Sequence, residues 1–114
     1  MALVRSAKMD KRAFPRYRTE VVVDFTAAET KVTGLTRDVS LGGMFVRTTR
    51  LPMQGQKLLL TLRFPDRQLL LQGVVVRTSE PSTFGRPLAP TGFAVTINDG
   101  ESYKRFVSSV APKI

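Results

Sequence analysis

The 114-residue chain contains no cysteine, no histidine and no tryptophan. Without cysteine there is no disulfide framework and no thiol nucleophile. Without histidine there is no imidazole for general acid–base chemistry, no Ser-His pair, and the usual zinc ligands are missing. The residue types that remain offer no nucleophile–base set, so an enzyme is not expected. No apolar run reaches the roughly 20 residues of a membrane span, because Thr61, Arg63, Gln72 and Arg77 break the longest ones. The first charge, Arg5, falls too early for the apolar centre of a secretory signal. The cytoplasm is the expected compartment, which the lack of cysteine permits.

Acidic residues are also scarce: nine Asp and Glu stand against 18 Lys and Arg, for a net charge of +9. The excess is uneven. Residues 1–18 hold Arg5, Lys8, Lys11, Arg12, Arg16 and Arg18 against Asp10 alone, and so carry more than half of it. Such a segment attracts nucleic acid, nucleotide phosphates or an acidic membrane surface, or serves as a solubilising arm. The 42% hydrophobic and 24% charged content is that of a single soluble globular domain. Residues 1–10 are expected to be a flexible lead and 11–114 the domain.

Residues 8–19 are too basic to nucleate a core and are expected to form a mobile loop, with Pro15 biasing Phe14 away from helix. Alternating apolar residues predict strands over 20–27, 31–37, 44–48, 57–64, 68–77 and 92–97. Gly34 in the second suggests a bulge or a close backbone approach. Pro65-Asp66-Arg67 joins the fourth and fifth strands into the clearest hairpin, while residues 79–90, with three prolines, form an irregular connection. Asn98-Asp99-Gly100-Glu101 carries a helix-start signal. Tyr103, Phe106, Val107 and Val110 then mark one face of a short amphipathic helix, about 99–111, whose stripe is expected to pack on the core. Six short strands followed by one helix predict an all-β fold, a six-stranded antiparallel barrel with a C-terminal helix.

Two stretches carry chemistry. Arg12 and Arg16 are four apart, and a guanidinium suits a phosphate oxygen pair, the O6/N7 edge of guanine or a purine face. As a spacing this says little: Arg63 and Arg67 repeat it at an exposed hairpin tip. Asp38-Val39-Ser40-Leu41-Gly42-Gly43 is the sharper signal. Asp38 can accept from paired donors such as the N1–H and N2–H₂ edge of guanine, and Ser40 can donate or accept. Gly43 leaves backbone N–H accessible and permits positive φ. The same residues also fit a local Asx/Ser turn that only satisfies its own backbone.

Arg-x-x-x-Arg before the first strand, followed by Asp-x-Ser-x-x-Gly between the second and third, resembles the PilZ domain family. The similarity extends over about residues 8–112, through GGMFVRT, GQKLLLTLRFPD, GVVVR and GFAVTI. The resemblance implies a barrel that binds cyclic di-GMP. It also implies that Arg12 and Arg16 clasp phosphate and guanine, while Asp38, Ser40 and Gly43, with Gly42 beside it, contact a base. Lys11 stands where family members differ in ligand stoichiometry and is compatible with a stacked ligand dimer. The implied function is that of a cytoplasmic receptor with no cofactor, whose basic loop orders over the ligand and signals to a downstream protein partner. A PilZ-like scaffold working through protein contacts alone is one alternative. A basic barrel binding single-stranded nucleic acid is another, disfavoured because Phe25, Phe64 and Phe93 fall on core faces rather than on a stacking surface.

Overall fold

Apolar alternation along the chain becomes seven strands and one helix in the computed structural model, which describes residues 14–79, 91–98 and 100–111. The strands are β1 (Tyr17–Arg18), β2 (Val22–Ala27), β3 (Thr30–Ser40), β4 (Gly43–Arg47), β5 (Lys57–Arg63), β6 (Gln68–Ser79) and β7 (Gly92–Ile97). The helix is α1 (Glu101–Val110). Six strands close into a ring in the order β3-β2-β5-β6-β7-β4, and β4 returns to pair with β3. Every pairing is antiparallel. Closure leaves no open sheet edge within the ring.

Inward side chains fill the barrel. Val23 and Phe25 of β2, Leu58, Leu60 and Leu62 of β5, Leu71 and Val75 of β6, and Phe93 and Val95 of β7 are all buried. Burial of this kind contributes roughly 1.5–3 kcal/mol for each large apolar side chain. Phe25 and Phe93 meet edge to face with centroids 5.0 Å apart. Helix α1 lays Tyr103, Phe106 and Val107 on the same core, and Phe106 packs against Phe64 at the end of β5 at 5.5 Å. The expected stripe is thus the packed one. Among the described residues no helix is long and apolar enough to cross a membrane.

Several boundaries differ from expectation, each for a physical reason. The segment expected as loop to residue 19 ends in β1, where Tyr17 and Arg18 pair with Val39 and Asp38. The second predicted strand, expected to end at Arg37, runs on to Ser40, so Asp38 lies within β3 and only Leu41 and Gly42 form the turn. The interruption between β1 and β2 is bridged by Thr36, fully buried, whose hydroxyl donates to the Thr19 carbonyl and accepts from the Val21 amide at 2.9 Å. Gly34 marks a close approach, since a Cβ there would lie 2.6 Å from the Arg47 carbonyl oxygen. Helix α1 begins at Glu101 with Gly100, which has no side chain to cap with, at its N-cap, while Asp99 of the expected Asx signal lies outside the described residues. Its remaining start signal is Glu101, an acid in the first turn. Residues 80–90, nearly all of the expected irregular connection, lie outside the described residues, as do Pro112, Lys11 and Arg12.

The arginines of the β5–β6 tip are engaged internally. Arg63 donates through Nε to Asp24 at 2.6 Å, and Arg67 lies 4.8 Å over the Phe64 ring. The other oxygen of Asp24 accepts from Thr33 at 2.7 Å. Those bonds, the Thr33 hydroxyl first, hold the Asp24 carboxyl below its ordinary range against the opposing effect of burial.

Candidate functional site

Register shifts decide what the outer face of the β3–β4–β7–β6 wall displays. In β3 Thr36 opposes Val46 and Asp38 opposes Phe45, which leaves Arg37 as an extra residue. In β6 Val75 opposes Val95 and Arg77 opposes Ala94, which leaves Val76 as an extra residue. A bulge interrupts strict alternation and re-aims the side chains beside it. Arg37 and Asp38 thus reach one border of the wall, and Val76 and Arg77 the other. Between them the strands carry small residues, Gly43, Ala94 and Thr96.

A cleft of about 200 Å³ lies on this wall, lined by Phe14, Arg16, Ser40, Gly43, Val76 and Arg77 among others. Its charged border is compact. Arg16 donates through Nη1 to Asp38 Oδ1 at 2.9 Å, and Arg37 through Nε to Asp38 Oδ2 at 2.8 Å. The Asp38 side chain is 10% exposed, against 31% and 28% for the two arginines. Arg37 is held flat as well, 4.4 Å above the ring of Phe45, a β4 side chain that is itself 3% exposed. An ionised carboxylate has about four acceptor directions, so two arginines leave Asp38 room for further donors.

The turn that follows is braced from within. Ser40 Oγ accepts from the Gly42 amide at 3.2 Å and lies 3.4 Å from the Gly43 carbonyl. The local Ser turn considered for these residues therefore exists, at the edge of the cleft. The Tyr103 hydroxyl lies 2.7 Å from both the Ser40 and the Gly43 carbonyl oxygens, and the Ile97 amide donates to the Gly42 carbonyl at 3.2 Å. Gly43 does not need a left-handed backbone: among the described glycines only Gly55 has positive φ. A Cβ at Gly43 would instead overlap the Val95 carbonyl oxygen, so glycine is required by close packing of β4 on β7.

Of the expected site residues, Arg16, Asp38, Ser40, Gly42 and Gly43 come together here, although Arg16 and Asp38 are 22 positions apart. Lys11 and Arg12 lie outside the described residues. Sequence reasoning missed Phe14, Arg37, Val76, Arg77 and Tyr103. A signal existed for Tyr103, because a phenol in an apolar stripe demands a polar partner. None existed for Val76, since three consecutive valines hide a bulge.

The solved structures most like this one include the PilZ domain of YcgR from Escherichia coli with c-di-GMP. That match has a TM-score of 0.69 at 11% identity and covers 89% of this chain and 92% of that one. The Bacillus subtilis inhibitor of motility MotI/DgrA matches with a TM-score of 0.67 at 18% identity, over 89% of this chain and 49% of its own. The PilZ domain of CeSA from a cellulose-synthesizing bacterium matches at 0.57 and 18% identity, over 82% and 89%. No curated protein matches in sequence. At such identities these structures speak for the fold. The sequence itself speaks for more, since the family model described as PilZ domain matches residues 10–109, both motifs included, and the chain belongs to that family.

Proposed function

We propose that this protein is a receptor for cyclic di-GMP and acts by binding. The observation that carries the reading is the Arg16–Asp38 pair at 2.9 Å beside the Ser40–Gly43 turn, which joins both family motifs at one cleft. Arg16 offers guanidinium N–H groups to a phosphate or guanine edge, and Asp38 offers unused acceptor directions to the N–H donors of guanine. The small residues of the wall let a flat base approach the sheet. Lys11 and Arg12 complete the clasp from the N-terminal side. With Tyr17 and Arg18 already paired to β3, ordering on ligand binding is confined to residues before β1, and the ordered arm is the surface a partner protein reads. The YcgR domain, a PilZ domain with c-di-GMP, supports the choice of ligand.

Calorimetry with cyclic di-GMP, cyclic di-AMP, GTP and a short oligonucleotide tests this. The expected result is selective binding of cyclic di-GMP, weakened about 10- to 100-fold by Arg16→Ala or Asp38→Ala, the loss of one charge-assisted hydrogen-bonding group. Equal affinity for every polyanion, collapsing with salt, would overturn it in favour of nonspecific charge attraction. Protease sensitivity of residues 8–16 with and without ligand tests the ordering step.

A further inference from the structure

Helix α1 is attached to the barrel in two ways. Phe106 and Val107 pack into the core, as any amphipathic helix does. Tyr103, 1% exposed, carries its hydroxyl through the packing to the β3–β4 turn, where one phenol spans the carbonyls of the two residues that flank it. Those residues, Ser40 and Gly43, are the last of β3 and the first of β4, paired with each other, and both line the cleft. The phenol's single proton is shared between these two carbonyls, and the Ile97 amide separately holds that of Gly42, so the turn is braced from the barrel side by two donors. A phenylalanine would fill the same space and offer no donor to the Ser40 and Gly43 carbonyls. Burial also pushes the phenol well above its ordinary range, so it stays a donor at any ordinary pH.

We propose that Tyr103 is a positioning residue for the ligand-reading turn, and that through it α1 and the cleft form one coupled unit. The proposal rests on the cyclic di-GMP reading and extends it. Ligand held by Ser40 and its neighbours fixes the turn, the turn fixes the Tyr103 hydroxyl, and the first turn of α1 tightens. Linkage requires the converse, that loosening α1 at this point weakens binding.

Tyr103→Phe tests it, with Val107→Ala as a control that damages the same helix's core packing without touching the turn. In the free protein, Tyr103→Phe is expected to speed amide exchange at Gly42 and Gly43 beyond what its loss of global stability accounts for, while in Val107→Ala these amides stay within about 2-fold of the rate that its loss of global stability accounts for. In titration, Tyr103→Phe is expected to weaken cyclic di-GMP binding by on the order of 5-fold or more, whereas Val107→Ala, though at least as destabilising, changes it less than about 2-fold. Ligand should slow exchange in α1 of the wild-type protein and not of Tyr103→Phe. Wild-type affinity and turn exchange in Tyr103→Phe, or the same loss in both variants, overturns the coupling. If the wild-type protein fails to bind cyclic di-GMP, the functional reading falls, and the exchange rates of the free variants still decide the coupling.

Discussion

Gly42 and Gly43 are neighbours under different constraints. At Gly43 an added methyl group meets the backbone of β7, the Val95 carbonyl and the Thr96 Cα, neither of which can turn aside. At Gly42 its one tight contact is the Phe14 ring, at 3.2 Å, with Ser40 Oγ at an ordinary 3.9 Å, and the Phe14 side chain, 41% exposed, can move. Gly43→Ala is therefore expected to destabilise the fold by about 1–3 kcal/mol, the range of overpacking, and toward its upper end because the neighbours are backbone. Gly42→Ala is expected to cost under about 1 kcal/mol of stability, within the spread of tolerated surface changes, while displacing Phe14 from the cleft. Chemical denaturation of the two variants checks the difference; similar losses would mean that the β4–β7 seam yields. The motif was legible at these positions, yet the reason for its glycine was not. From sequence, Gly43 suggested backbone freedom, and only the position of β7 shows that space is what it supplies.

Elements differ in how much of them a sequence can display. β5 and β6 as far as Val75 alternate in burial, with Leu58, Leu60 and Leu62 facing the core, and the hairpin between them follows from its turn and flanking apolar runs. β1 has two residues in a basic stretch, and nothing local distinguishes it from loop. It exists because β3 is long enough to offer it an edge, and because Thr36 closes the gap before β2. The extension of β3 through Asp38 was hidden for a related reason: the bulge at Arg37 breaks the period that announces a strand. Thr36→Val keeps the shape and removes the hydroxyl, leaving the Thr19 carbonyl and Val21 amide without it. A loss of about 1–3 kcal/mol is expected, the cost of unsatisfied buried groups, together with faster amide exchange at Tyr17 and Arg18. Because β1 carries Arg16 to Asp38, ligand affinity should fall with it; calorimetry at a temperature where the variant remains folded gives the answer.

At the scale of the whole molecule, pH is the relevant variable: among the described residues, two titrating groups have shifts that point outward from neutrality. Asp24 is lowered from 3.8, chiefly by the Thr33 hydroxyl, so its contribution is complete above that value and is lost as pH falls through its folded pKa. Tyr103 is raised from 10.0 by burial, so its contribution is complete below that value and is lost as pH rises beyond it. Stability is expected to be flat between these limits as far as these two groups are concerned, with the acid limb eased in Asp24→Asn and the alkaline limb eased in Tyr103→Phe. Melting temperatures from pH 3 to about 11, each variant against wild type, measure both; an alkaline limb unchanged by Tyr103→Phe would mean that the phenol is not held protonated by the fold.

Closure of the barrel also governs where the chain can change length. A residue added to or removed from most strand positions would turn every later side chain to the opposite face, on two ladders at once. Val76 is different. It lies beyond the last β5 partner of β6 at Val74, and its neighbours Val75 and Arg77 already oppose consecutive residues of β7. Deleting it would restore an unbroken ladder while every other residue kept its partner and its face. One border of the cleft would lose a side chain, and the barrel would not register the loss.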